Sequence, residues 1–481
     1  MPKTFYITTA IPYVNAPPHI GHALEFVQAD AIARYHRQLG NVTYFLTGTD
    51  DNALKNVQAA EAAGVDTKEL VDKNAERFIE LTKKMNISND YFIRTAADKH
   101  FRGAQKLWRA CRSKDIYKKK YKGLYCVGCE AFYKEKDLVN GKCPEHKKEL
   151  EVIEEENYFF KLSNYQKQLE ESIKSDTYKV TPESRKNEIL SFIRMGLEDF
   201  SISRSKERAK NWGVPVPGDD SQIMYVWFDA LSNYITALDY EHEGKLYKKF
   251  WPADMHVIGK GIIRFHAVYW PAMLMSAGLP LPRELFVHGY INIEGGKMSK
   301  SLGNVVDPFE LLAKYGVDAV RYYLLRHIHP AQDSDFSYEK FAVRYNADLA
   351  NGLGNLVARV SNLLEKNKIK INLKPGRDKK LKKEFGEKME KYRFDEALKI
   401  LWGKLRESDE LLSAKTPWKI DPSTSSGRDD IKKVLEPVAE NILNIAYYLQ
   451  PFMPATAEKI IKQFSAERVK KENVLFPRLA S

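Results

Sequence analysis

At 481 residues the chain exceeds what one compact core organises, which implies about two to four domains. Its hydrophobic content is an ordinary 43%, and no run of eighteen uncharged apolar residues offers a membrane span. The net charge of +12 and the pI near 9.1 suit a polyanionic partner such as nucleic acid.

Met1-Pro2-Lys3 leads straight into a strand-like segment with no apolar stretch toward a cleavage site, so a cytoplasmic protein is expected. Phe5-Tyr6-Ile7-Thr8-Thr9 predicts a short buried strand. After His19-Ile20-Gly21-His22, apolar residues recur at Leu24, Val27, Ala31, Tyr35 and Leu39, the spacing of a helix that ends at Gly40-Asn41. Thr43-Tyr44-Phe45-Leu46 is the next strand, and this strand–loop–helix–strand unit opens a parallel α/β fold. Cys111 is expected to pack within a helix. The parallel-sheet pattern returns only at Met255-His256-Val257-Ile258 and Leu285-Phe286-Val287-His288, so an insertion of roughly a hundred residues splits the sheet. Asp307-Pro308 reads as an N-cap with proline at the first helical position. Beyond it the pattern is almost wholly helical, with candidates at 339–366, 381–413 and 430–463 and a loop at 421–427.

Three of the four cysteines fall between residues 126 and 143, which favours a metal over disulfides. Cys126-Val127-Gly128-Cys129 and Cys143-Pro144-Glu145-His146 are two ligand pairs with thirteen residues between them. Cys126, Cys129, Cys143 and His146 therefore predict one tetrahedral zinc, closed by four protein ligands and structural in role.

His19 and His22 flank Gly21 at a predicted helix N-terminus, where unpaired amides and the helix dipole favour an anion. Gly21 leaves room for a nucleotide to approach. Gly295-Gly296 predict a flexible loop before Lys297-Met298-Ser299-Lys300-Ser301, whose two ammonium groups can close over the β- and γ-phosphates of ATP. No glycine loop of the Walker type is present.

In this order and setting the two signatures resemble those with which class I aminoacyl-tRNA synthetases grip ATP. The resemblance implies activation of an amino acid as its adenylate, with Mg²⁺ accompanying ATP. It makes His19, Gly21, His22, Lys297, Ser299, Lys300 and Ser301 the ATP-binding residues. His19, His22, Lys297 and Lys300 are then catalytic.

From residue 5 to about 463 the chain is similar to the methionyl-tRNA synthetase family. Ala10-Ile11-Pro12-Tyr13, Asp50 in Gly48-Thr49-Asp50-Asp51, Tyr225-Val226-Trp227-Phe228-Asp229-Ala230 and Arg264-Phe265-His266-Ala267-Val268-Tyr269-Trp270-Pro271 carry the likeness. The resemblance assigns the substrate ammonium to Asp50. It assigns the side chain to a pocket of Ile11, Tyr13, Trp227, Ala230, Tyr234, Phe265, His266 and Trp270, although spacing alone favours a packed core. A thioether is unbranched and polarisable and packs well on aromatic rings. The same resemblance implies methionine tRNA, initiator and elongator, as partner, read by Asn355, Arg359 and Trp418.

The expected architecture is a Rossmann-like parallel-sheet catalytic domain split by a zinc-binding insertion, followed by an α-helical anticodon-binding domain. Its boundaries are 1–116 for the first catalytic half, 117–225 for the insertion (zinc knuckle about 120–150), 226–305 for the second half, 306–350 for a stem-contact connection and 351–481 for the helical domain. Two positions depart from the family pattern: Gly261 stands where an acidic residue is usual, and Leu231 where some members have proline. The chain ends soon after the helical region, so a monomer is expected. Two other readings remain open at this point: a class I synthetase for another amino acid, and a non-catalytic tRNA-binding homologue.

Overall fold

The structure, a computed structural model, describes residues 2–126, 131–133, 135–144, 147–298 and 303–479. The chain divides into two compact units.

The first unit, residues 1–18, 40–83 and 87–288, is built on a six-stranded sheet. Its strands are β1 (Thr4–Thr9), β2 (Val42–Thr49), β3 (Tyr91–Arg94), β4 (Lys179–Thr181), β5 (Met255–Gly259) and β6 (Glu284–His288). They lie in the order β3-β2-β1-β5-β6-β4, and every neighbouring pair is parallel. Tyr6, Ile7, Val257 and Ile258 are fully buried, as the near-continuous apolar runs of a sheet covered on both faces require. The strand order reverses at β1, between β2 and β5. In such sheets the crevice at the carboxyl ends of the strands beside this switch point is where ligands bind.

Residues 117–225 do not lie wholly outside this sheet. Ile116–Cys126 pairs antiparallel with Ala131–Tyr133 and Glu151–Phe160, and Asp219–Met224 forms a second antiparallel sheet with Ser203–Ser205 and Pro215–Val216. Between them the chain returns to supply β4 at the edge of the main sheet. Cys111 is buried, but it caps the helix Asp98–Ala110 rather than lying inside it.

The second unit, residues 19–39, 84–86 and 289–481, is mostly helical. Helix α1 (Ile20–Gln38) belongs to it. Asp30 on α1 forms a fully buried 2.6 Å ion pair with Arg321, which also donates to the Phe452, Pro451 and Met85 carbonyls. A buried charge needs such complete partnering.

The three long helices expected from periodicity are each interrupted. Tyr345–Gly354 winds as a π-helix between Tyr338–Arg344 and Asn355–Lys366. Tyr392, at φ 56°, separates Lys379–Met389 from Phe394–Lys415. Ser425–Leu449 ends before Pro454–Phe464, and Thr424 caps it by accepting the Gly427 N–H at 3.0 Å, which shortens the expected loop. No helix among the described residues is long and apolar enough to cross a membrane.

Candidate active site

The residues assigned to ATP lie in the second unit. His19 is the N-cap of α1, and its Nδ1 accepts the Gly21 N–H at 3.1 Å. His22 Nδ1 accepts the His19 N–H at 3.1 Å, completing a capping box made of two imidazoles. A ring nitrogen that accepts carries no hydrogen, so in each neutral ring the proton sits on Nε2 and makes it a donor. The rings stack at 3.9 Å. A Cβ at position 21 would lie 2.9 Å from His19 Cε1, so glycine is needed there to seat the His19 ring itself.

Met298 approaches the same place, its Cε 3.9 Å from that Cβ position. Gly295-Gly296 do not form the flexible loop expected of them. Ile291–Ile293 and Gly296–Lys297 make an antiparallel hairpin turned by Glu294 (φ 50°) and Gly295 (φ 78°). Positive φ at both turn residues matches the twist of the strands. The Gly295 N–H is also held by Asp335 at 2.7 Å. The Lys297 backbone therefore lies on a strand, while Ser299, Lys300 and Ser301 lie outside the described residues.

The methionine-directed residues lie in the first unit, with Asp50 directly after β2 and Phe265 and His266 a few residues after β5, while Tyr234 and Trp270 pack against His256 within β5. Ile11 and Tyr13 follow β1 and pack against the core. Tyr13 forms an isolated parallel bridge with Asp50, whose N–H donates to Pro12 O at 2.8 Å. Asp50 is buried, and its Oδ1 accepts from Asn52 N at 3.1 Å and Thr95 Oγ1 at 3.4 Å. The neighbouring Asp51 is committed to Arg94 at 2.8 Å. Burial pushes its carboxyl above the ordinary value against the pull of that guanidinium.

Trp227 and Phe265 stack at 3.7 Å with their planes 4° apart. His266 stands edge-on to Trp227 at 6.1 Å, and Tyr13 does so at 6.4 Å. Phe265 and His266 lie on a π-helical turn, Phe265–Tyr269, a local distortion common at functional sites. The Tyr234 hydroxyl meets His266 Nε2 at 2.7 Å, and its ring packs against Trp270 at 5.9 Å. Ala230 is buried on the same short helix as Trp227, Val226–Leu231. Among the described residues the buried Trp227 Nε1 has no hydrogen-bond partner.

His256 also belongs to this cluster, although its sequence setting announces only a strand. It stacks on Tyr234 at 4.1 Å, accepts from Trp270 Nε1 at 3.3 Å and meets Thr8 Oγ1 through Nδ1 at 2.7 Å. The signal available is a lone polar ring in an apolar parallel strand.

The anticodon candidates lie in the second unit. Arg359 and Trp418 are brought together, the guanidinium 4.9 Å from the centre of the partly exposed indole. Arg359 also binds Asp409 at 2.8 Å, and Asn355 is exposed one turn away on the same helix.

The family model described as "tRNA synthetases class I (M)" matches residues 5–152 and 145–361, and that of the anticodon-binding domain of tRNA ligases matches 376–478. The methionine–tRNA ligase of Caldanaerobacter subterraneus subsp. tengcongensis is 42% identical over 100% of this chain and 79% of its own length. The chain belongs to the methionyl-tRNA synthetase family. The methionine–tRNA ligase of Brucella melitensis is also 42% identical, over 98% of this chain and 93% of its own. Among solved structures, the methionyl-tRNA synthetase of Mycobacterium tuberculosis in complex with methionyl-adenylate aligns at a TM-score of 0.93, with 39% identity over 99% of this chain and 100% of that one. Its free form aligns at 0.85. A fold with a Rossmann-like parallel sheet and a helical C-terminal region is what this family implies.

Proposed function

We propose that the residues placed above carry out the activity of the family. The family's activity is ATP-dependent conversion of methionine to methionyl-adenylate, followed by transfer to the 3′-terminal ribose of methionine tRNA. The single observation that carries the assignment to methionine is the stacked Trp227–Phe265 pair with Tyr13 and the Tyr234-bound His266 edge-on to it, Tyr13 being bridged to Asp50.

In this reading Asp50 takes the substrate ammonium. The thioether lies against the aromatic wall, bounded by Ile11, Ala230 and Trp270. The methionine carboxylate attacks the α-phosphate in line while pyrophosphate leaves. His19 and His22 donate through Nε2 to phosphate oxygens as negative charge gathers, and Gly21 keeps the His19 ring in place. Lys297 and Lys300, with Ser299 and Ser301, hold the β- and γ-phosphates and balance the charge of pyrophosphate as it leaves. Bound Mg²⁺ supplies further charge neutralisation on the phosphates. Trp418 offers a stacking platform for an unstacked anticodon base, and Asn355 and Arg359 offer base-edge donors. Charging tRNA for translation sets this work in the cytoplasm.

Methionine-dependent exchange of pyrophosphate into ATP tests the reading. Exchange is expected with methionine and not with valine, isoleucine or cysteine. Binding of tRNA without any exchange would favour the non-catalytic homologue instead.

The zinc assignment rests on donor chemistry. Cys126 and Cys143 have buried side chains, and Cys143 lies in a turn closed by Cys143 N to Lys148 O at 2.9 Å and Lys147 N to Cys143 O at 2.8 Å. Cys129 and His146 lie outside the described residues. Two buried thiols, one at a strand end and one in a turn, fit a structural zinc held by Cys126, Cys129, Cys143 and His146, which would tie the antiparallel segment together. Elemental analysis of the purified chain should give about one zinc per chain, falling on replacement of Cys143 by serine. Full zinc content in that variant would remove Cys143 from the ligand set.

A further inference from the structure

A second set of buried polar groups, which no step above uses, converges on Asp229. This carboxylate lies on the helix Val226–Leu231, two residues after Trp227 and next to Ala230, and is buried. His100 Nε2 stands 2.5 Å from one of its oxygens, and Asn52 Nδ2 donates to the other at 2.7 Å. An ionised carboxylate only accepts, so both partners must present hydrogens to it.

The path continues on both sides. His100 Nδ1 lies 2.8 Å from Thr236 Oγ1. Gly103, one turn further along the same helix, permits that approach, because a Cβ there would fall 2.4 Å from Thr236 Cγ2. On the other side Asn52 Nδ2 also donates to Thr95 O at 3.1 Å, and the Asn52 backbone N–H donates to Asp50 Oδ1 at 3.1 Å. Thr95 Oγ1 reaches that same Asp50 oxygen at 3.4 Å and accepts the Asp51 N–H at 2.8 Å. One continuous buried path therefore joins the helix bearing Trp227 and Ala230 to the carboxylate of Asp50.

Burying charged groups is a poor way to gain stability, since apolar residues of the same volume often do as well. What the polar path adds is direction and spacing. We propose that Asn52, Asp229 and His100 are positioning residues for the amino-acid substrate. They set the distance between the carboxylate that takes the ammonium and the aromatic wall that takes the side chain. The inference rests on the roles given above to Asp50 and Trp227.

Pyrophosphate exchange by the full chain tests it. Asn52→Ala should raise the KM for methionine about tenfold or more, with kcat and the KM for ATP within about twofold. That change also leaves Asp229 Oδ2 without its Asn52 donor, so Asn52→Ala combined with Asp229→Asn is the control. Removing the charge should recover melting temperature while the methionine KM stays high. Recovery of both together means the network is only structural, and overturns the proposal. Asp50→Asn should itself raise the methionine KM, and in that background Asn52→Ala should add less than about twofold. Two independent, multiplying effects overturn positioning through Asp50. An unchanged methionine KM in Asp50→Asn refutes the ammonium assignment and the inference with it. A raised KM there, with none in Asn52→Ala, refutes the inference alone.

Discussion

Replacing His22 by alanine is expected to slow methionyl-adenylate formation by about 10²–10³-fold, the usual loss when one donor aimed at developing charge is removed. His22 serves two ends. Its Nδ1 takes the His19 N–H and so helps start α1, and that same bond leaves the proton on Nε2 for the phosphates. The capping share is small, about 1 kcal/mol of stability. The larger share acts only as the α-phosphate gains charge, so kcat should fall while methionine affinity, followed by intrinsic tryptophan fluorescence, stays put. His22→Asn separates the two. An amide oxygen can still accept the His19 N–H, so melting temperature should recover while most of the rate does not. A kcat within about threefold of the parent in His22→Ala would remove this residue from the phosphate-binding set.

The parts of this architecture legible in the sequence are those whose cause is local. β1, β2, β5 and β6 show as apolar runs because a parallel sheet buries both faces. β4 does not. Val180 is the only fully buried member of Lys179–Thr181, and its place is set by Glu284 across the strand gap, which binds Lys179 at 2.9 Å and accepts from Thr181 Oγ1 at 2.6 Å. The Gly295-Gly296 pair suggests mobility because glycine is permissive. The turn is instead held by Asp335, forty residues on, and no local pattern announces that bond. The site divides in the same way. His19 and His22 are recognisable as a motif, but their shared tautomer follows from cap geometry. Trp227 and Phe265 can be named from resemblance, yet they stack face to face only where the helix Val226–Leu231 meets the π-helical turn Phe265–Tyr269. Asn52 and His100 carry no signal, and Asp229 shows only as one member of the segment around Trp227, because each is an unremarkable polar residue until three segments of the first unit meet.

Acid should weaken the folded state through His266, and the sign follows from its partners. Its Nδ1 faces the Ile262 carbonyl at 3.0 Å, which can only accept, so Nδ1 carries the hydrogen and Nε2 accepts from the Tyr234 hydroxyl at 2.7 Å. That tautomer is the neutral ring, which burial favours. Burial pushes its pKa from 6.5 down to about 4, against the opposing pull of the Ile262 carbonyl. His256 beside it is lowered as well, first by burial and then by His266. Between those two pH values the unfolded chain takes up a proton that the folded chain refuses. The stability from His266 is thus complete above about pH 6.5 and drains away as pH falls toward 4, a loss of roughly 3 kcal/mol in all. About 2 kcal/mol of it should be gone between pH 7.5 and pH 5. Urea unfolding at those two pH values, for the parent and for His266→Gln, reads this contribution together with its coupling to His256, since glutamine does not titrate. The parent should lose more than the variant by about that amount, while its methionine affinity holds down to about pH 5 and falls only near pH 4, where the folded ring itself takes the proton and Nε2 stops accepting from Tyr234. Equal pH dependence in the two proteins would show that His266 is not held neutral, and the orientation of Tyr234 at the pocket wall would then need another cause.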